Sequence, residues 1–103
     1  MNERQLLAFK YVIQHGTMTK AAELLHVTQS AVSQMITNLE QDLGFPVFER
    51  RQGKITPTPQ GRSFLAEADR VLDTMGKARR AAIELKNLSI GNFLGSVNSP
   101  MGN

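Results

Sequence analysis

The sequence predicts a mainly α-helical fold with one small β-hairpin, and three observations lead there. Apolar residues recur at spacings of three and four through residues 6–43 and again through residues 64–85, the period of amphipathic helices. Between those stretches the period is lost, and residues 47–57 read as two brief strands around a Gly-containing turn. The chain has 103 residues, enough for one core and not for two.

Each element carries its own start and stop signals. Asn2 with Gln5 three residues later forms a capping box, the stripe Leu6, Phe9, Val12 and Ile13 follows, and Gly16 is placed to end the first helix. Thr17 caps a short second helix, from about Met18 to Leu25, whose pair Ala21 and Ala22 lets another helix come close. The connector His26-Val27-Thr28 is tight, and Thr28 is the expected N-cap of a third helix that reaches Leu43 and closes at Gly44. In the hairpin, Arg51, Gln52 and Gly53 make a basic tip and Pro57 is confined to an edge. Thr58 as N-cap and Pro59 as first helical residue open the fourth helix. That helix is expected to run to about Leu88, roughly 30 residues or about 45 Å. From Ser89 onward the composition turns to Gly, Asn and Ser with Pro100, which reads as a hinge or tail.

Two helix faces carry most of the information. On the third helix, Val32, Met35, Ile36, Leu39 and Leu43 fall within an arc of roughly 100°, so that face is core. Opposite them, Gln29, Ser30, Ser33, Gln34 and Thr37 span an arc of about 140°, and none is charged. A solvated helix face usually carries Lys, Glu and Arg, which cost little helix propensity; short amides and hydroxyls point instead to recognition. On the fourth helix, Phe64, Ala68, Val71, Met75, Ala78, Ala82 and Leu85 alternate spacings of four and three, about three heptads of a 3.5-residue repeat. So long a seam cannot be buried within so small a domain, and it asks for another chain.

Charge is unevenly placed. The formal net charge is +3. Residues 1–49 are net −2, residues 63–103 are net +1, and residues 50–62 hold Arg50, Arg51, Lys54 and Arg62 with no acid. The positive excess therefore sits at the hairpin and calls for an anionic partner.

Other classes of protein are disfavoured. With no cysteine there is no disulfide framework, cysteine nucleophile or thiolate metal site. His15, near a helix end, and His26, in a connector, have no nucleophile and orienting acid at local spacing and read as capping or surface residues. No Gly-rich phosphate loop or metal-spaced ligand cluster appears, and Met35 and Met75 read as filler on apolar stripes. No apolar run approaches the ~18 residues of a membrane span, and no basic flank precedes an apolar stretch at the N-terminus. The expectation is a non-enzymatic, cytoplasmic protein with no catalytic residue, metal or cofactor in this chain.

Two short helices joined by a tight turn, the second with an uncharged polar face, match a helix-turn-helix over residues 18–37 whose second helix enters the DNA major groove. Gln amides pair with adenine at two points, while Ser and Thr hydroxyls serve any base or a phosphate. The basic hairpin that follows fits the wing of a winged helix-turn-helix, with Arg50, Arg51 and Lys54 on phosphates or in a minor groove. On spacing alone, a three-helix bundle with a merely solvated polar face and a solvated basic turn stays open.

The stretch MTKAAELLHVTQSAVS from Met18 to Ser33, followed by Leu39-Glu40, Leu43-Gly44, Val47-Phe48-Glu49-Arg50 and Thr56-Pro57-Thr58-Pro59-Gln60-Gly61, resembles the DNA-binding domain of LysR-type transcriptional regulators. The resemblance covers residues 2 to about 88. The alanine pair, the Thr-Gln-Ser-Ala-Val-Ser entry to the third helix and the Phe-Glu-Arg wing occur in order and at family spacing. The exit through Pro57, Thr58 and Gly61 is similar to the branch that includes LysR itself and the opine regulators.

This resemblance implies a winged helix-turn-helix over residues 1–58 and a linker helix over residues 59–88 that pairs antiparallel with its mate in a homodimer. Residues 89–103 are then a hinge and the truncated start of an effector-binding domain. Full-length members continue into a ligand-sensing domain of periplasmic-binding-protein type, where a small-molecule effector binds, and four chains commonly assemble. The chain is accordingly expected to be an isolated DNA-binding fragment or a truncated product. Carried over by position, Gln29, Ser30 and Ser33 face bases, Thr28, Gln34 and Thr37 lie alongside, and Arg50, Arg51 and Lys54 form the wing. Members often have arginine where this chain has Gln34, Thr37 and Asn38, which weighs against a bidentate guanine contact. The expected partners are double-stranded DNA, as an inverted-repeat site, and a second copy of the chain, with no membrane. A winged-helix regulator of the molybdate-responsive type and a protein-interaction module built on the long helix are the two alternatives.

Overall fold

The computed structural model describes residues 1–95, and side chains through residue 88. In chain order the elements are α1 (Glu3–His15), α2 (Met18–Leu25), α3 (Gln29–Leu43), β1 (Phe48–Arg51), β2 (Lys54–Pro57) and α4 (Pro59–Gly95). The fold is thus mainly helical, with one two-stranded antiparallel sheet. The chain divides into two compact units, Met1–Leu72 and Asp73–Asn103. The first holds α1 to α3, the hairpin and the start of α4.

Helix ends in the first unit are set by local chemistry. The Asn2 side chain accepts from the Gln5 backbone at 2.9 Å while the Gln5 side chain accepts from the Asn2 backbone at 3.1 Å, closing the capping box. Thr17 accepts from Lys20 N at 3.2 Å, and Thr28 from Ala31 N at 3.1 Å. Gly16 and Gly44 end α1 and α3 in the left-handed conformation, where the lack of a Cβ costs nothing. At the end of α2 that position is taken by His26, with φ 59°.

The core gathers the faces that the periodicity assigns to it. Leu6, Ala8, Phe9 and Val12 of α1, Ala21, Ala22 and Leu25 of α2, and Val32, Ile36 and Leu39 of α3 are buried together with Val47 and Ala68. Met35 and Leu43 are half-buried at its margin. Phe9 is fully buried, with ring centroids 5.6 Å from Phe48 and 5.8 Å from Phe64, so one aromatic cluster fastens α1 to β1 and to the first turns of α4.

Polar contacts then fix the hairpin against α3. Glu40 accepts from the backbone N–H groups of Val47 at 2.8 Å and Phe48 at 3.4 Å. Thr58 is buried; its hydroxyl donates to Pro46 O at 2.7 Å and accepts from Gly61 N at 2.9 Å, and its backbone N–H donates to Val47 O at 3.0 Å. The strands pair Phe48 with Pro57, Glu49 with Thr56, Arg50 with Ile55 and Arg51 with Lys54. The two residues between them, Gln52 and Gly53, have φ 53° and 77°, the positive values of a two-residue type I′ turn.

Two expectations need correction. Helix α4 continues to Gly95, past the expected stop near Leu88, so residues 89–95 are not a hinge. Isolated Gly, Asn and Ser cost a helix at most about 1 kcal/mol each, and no proline stands between Gln60 and Ser99 to end it. The rest of the expected hinge, residues 96–103, lies outside the described residues. The exposed part of the expected seam also begins later than its spacing suggests. Ala68 is fully buried in the chain's own core, which removes it from the expected seam, while Phe64 packs on Phe9 and is half-buried. A heptad pattern states a period, not which surface the stripe meets, and the chain's own core covers Ala68 wholly and Phe64 in part.

Candidate nucleic-acid interface

The N-terminal half of α3 turns its uncharged face outward. Gln29, Ser30, Ser33, Gln34 and Thr37 are exposed, as is the cap residue Thr28. Gln29, Ser30 and Ser33 share one open groove of about 760 Å³ with two other elements. The hairpin contributes Arg50, Gly53, Lys54, Ile55 and Thr56, and the entry to α2 contributes Gly16, Thr17, Met18 and Thr19. Two cations line this groove, and no acid does. The Glu40 and Thr58 contacts explain the arrangement: they hold the chain on either side of the hairpin, which sets its basic tip beside the start of α3.

Within the groove Gln29 is not loose. Its Nε2 donates to Thr19 Oγ1 at 2.8 Å. Outside it, Gln34 Nε2 donates to Asn38 Oδ1 at 2.9 Å, so this amide is engaged along its own helix. The Thr28 hydroxyl serves the helix cap, and Thr37 is exposed one turn beyond Ser33.

Arg51, the cross-strand partner of Lys54, differs from the other two wing cations. It does not line the groove; its Nε lies 3.0 Å from Glu49 Oε2 in an ion pair. Successive residues of a strand point to opposite faces, which separates Arg51 from Arg50 and puts it beside Glu49. The acid-free window that marks the wing in the sequence starts one residue after Glu49.

The residues that sequence reasoning passed over are Thr17, Met18 and Thr19 at the start of α2. A usable signal was present: hydroxyls at 17 and 19 with no acid in the first turn of that helix. Neither histidine belongs to the groove. His15 is exposed in the last turn of α1, near the Tyr11 ring, and His26 is the exposed cap of α2.

On α4, Val71 (48%), Met75 (37%) and Leu85 (63%) are exposed hydrophobics, and Ala78 and Ala82 are exposed between them in the sequence. Ile83 and Leu88, off the expected seam, are exposed too. Among the described residues no helix is long and apolar enough to cross a membrane.

An α-helix with its side chains is about 10–12 Å across, and the major groove of B-DNA is about 12 Å wide. A short polar helix face flanked by cations is therefore dimensioned for a duplex. The profile described as "Bacterial regulatory helix-turn-helix protein, lysR family" matches residues 3–62. The chain belongs to the LysR family. The match spans α1 to the first turn of α4, so every groove residue of this LysR-type domain lies inside it.

Relatives and solved structures agree. The HTH-type transcriptional regulator DgcR of a Pseudoalteromonas species is 32% identical over 99% of this chain and 35% of its own length. The regulatory protein NocR of Agrobacterium fabrum is 35% identical over 90% of this chain and 31% of its own. Octopine and RuBisCO regulators match at similar identity, 36% for OccR of Rhizobium meliloti and 38% for the probable regulator of Guillardia theta, so the opine branch is not singled out. The chain spans about a third of the length of the curated relatives it matches. Among solved structures, the DNA-binding domain of CbnR in complex with DNA superposes with TM-score 0.75 at 35% identity, covering 84% of this chain and 99% of that one. The BenM DNA-binding domain bound to benA site 1 DNA gives TM-score 0.75 at 30% identity, covering 84% and 97%.

Proposed function

We propose that this LysR-type domain is the sequence-specific, double-stranded DNA-binding module of a transcription regulator. Helix α3 lies in the major groove with Gln29, Ser30 and Ser33 toward base edges, while Arg50 and Lys54 neutralise phosphates or reach into a minor groove. The observation that carries this reading is the acid-free groove shared by the polar face of α3 and the basic hairpin tip. Its likeness to the CbnR and BenM domains, whose structures contain DNA, supports it.

In this reading the binding form is a homodimer. Val71, Met75, Ala78, Ala82 and Leu85 supply an apolar stripe at heptad spacing, and two copies read inverted half-sites about 34–36 Å, or a multiple of that, apart. The regulator works in the cytoplasm and is not an enzyme. Its small-molecule effector binds outside this chain, in a longer protein where dimers join as tetramers.

Selection from a random duplex pool tests the reading. Enrichment of an inverted repeat is expected. A pool that enriches no motif contradicts sequence-specific binding and favours a protein-interaction role for the long helix.

A further inference from the structure

We infer that Thr19 is a positioning residue for base recognition: it holds the Gln29 amide so that Gln29 reads adenine. The inference rests on the DNA-binding reading above and concerns how the same groove chooses its sequence.

Thr19 sits in the first turn of α2 and Gln29 at the first position of α3, ten residues apart, yet Gln29 Nε2 donates to Thr19 Oγ1 at 2.8 Å and both line the groove. A solvent-exposed glutamine ordinarily samples several rotamers and both orientations of its amide. Here it is tied to a short side chain on a helix whose next turn, at Ala21 and Ala22, is buried in the core. The backbone that carries the anchor is therefore fixed to the core.

The tie also decides which groups are left to bind. A Gln amide has two N–H donors and one carbonyl oxygen with two lone pairs. Thr19 takes one N–H, leaving Oε1 as acceptor and one N–H as donor. In the major groove adenine offers the complement, an N6 amino donor beside the N7 acceptor. Guanine shows two acceptors and leaves Oε1 without a donor, thymine an acceptor and a methyl group, and cytosine a donor alone. An amide fixed in this way is selective because the wrong base leaves a desolvated group unpaired, whereas a mobile one turns to suit it.

Thr19→Val removes the acceptor while keeping the side-chain shape, and Thr19→Ser keeps the hydroxyl. The 103-residue chain and each variant are titrated against duplexes that differ only at the base pair whose preference Gln29→Ala abolishes. The expected result is an adenine preference that falls about three- to tenfold in Thr19→Val and stays within about twofold of the parent in Thr19→Ser, with the salt dependence unchanged in both. In a Gln29→Ala background, Thr19→Val changes the preference no further. Thr19 is exposed, so melting by circular dichroism should match the parent, and Thr19→Ala gives the same reading if Val perturbs the helix.

Three results overturn the inference: a preference unaltered by both Thr19→Val and Thr19→Ala, a Gln29-dependent preference for a base other than adenine, or a uniform loss on all duplexes with a shallower salt slope. The last would make Thr19 a phosphate contact. A parent chain with no preference at all refutes the DNA-binding reading itself, which separates the two failures.

Discussion

A Cβ placed on Gly61 would overlap the carbonyl oxygen of Val47 and stand 3.0 Å from its carbonyl carbon and 3.1 Å from its Cα. The first turn of α4 therefore lies directly on the backbone that enters the hairpin, where Thr58 also bonds to Val47 and Pro46. In an exposed helix Gly→Ala stabilises by about 1 kcal/mol. Here Gly61→Ala is expected to destabilise by about 1–3 kcal/mol, because the obstacle is backbone and cannot swing aside. Urea denaturation checks this, and a midpoint at or above the parent's contradicts the close contact.

The Glu49–Arg51 pair sets how much charge the wing presents. With Arg51 already facing a carboxylate, Arg51→Ala should change the salt dependence of DNA binding less than Arg50→Ala does. Glu49→Gln should free the guanidinium and steepen the dependence of log K on log salt by about one unit. Affinities measured across a salt series decide it; a slope unchanged in Glu49→Gln means that the ion pair does not limit Arg51.

Gln52 occupies the first central position of the hairpin turn with φ 53°. A left-handed backbone costs an ordinary L-residue about 1–2 kcal/mol, less for asparagine, which favours this site in type I′ turns. Gln52→Asn is expected to raise stability by about 0.5–1 kcal/mol without touching the groove, read as a melting temperature a few degrees higher. A lower one would show that Gln52 makes a compensating contact.

The exposed positions on α4 carry the dimer expectation. Val71→Asp or Met75→Asp should yield monomers by sedimentation at concentrations where the parent is dimeric, because each puts a charge on the proposed seam. By contrast, Ala68→Asp should unfold the domain, since Ala68 is fully buried within it. A Met75→Asp protein that sediments as a dimer would move the interface elsewhere, Ile83 and Leu88 being the exposed apolar residues next in line.

Much of the fold is legible in the sequence because its boundaries are made locally. Asn2, Thr17, Thr28, Gly16 and Gly44 each act within a few residues, and the helices they bound lie where their spacing places them. The uncharged, exposed face of α3 is legible for the same reason, since a helix fixes which residues share a side. What escapes is tertiary. The Thr19 hydroxyl meets Gln29 only once α2 and α3 pack. Glu49 captures Arg51 from just outside the basic window. Ala68 fits the heptad yet is taken by the core, and Gly91 and Asn92 weaken a helix without ending it.

The proposed division of labour has α3 reading bases and the hairpin supplying sequence-independent affinity. It is tested most directly by measuring binding to the selected duplex and to a scrambled one across a salt series, for the parent, Gln29→Ala and the double variant Arg50→Ala/Lys54→Ala. The double variant should lose about two units of salt slope on both duplexes and keep its preference between them. Gln29→Ala should keep the slope and lose preference by roughly 1–3 kcal/mol. A wing variant that loses preference with its slope intact, or a Gln29 variant that loses slope with its preference intact, would contradict the assignment.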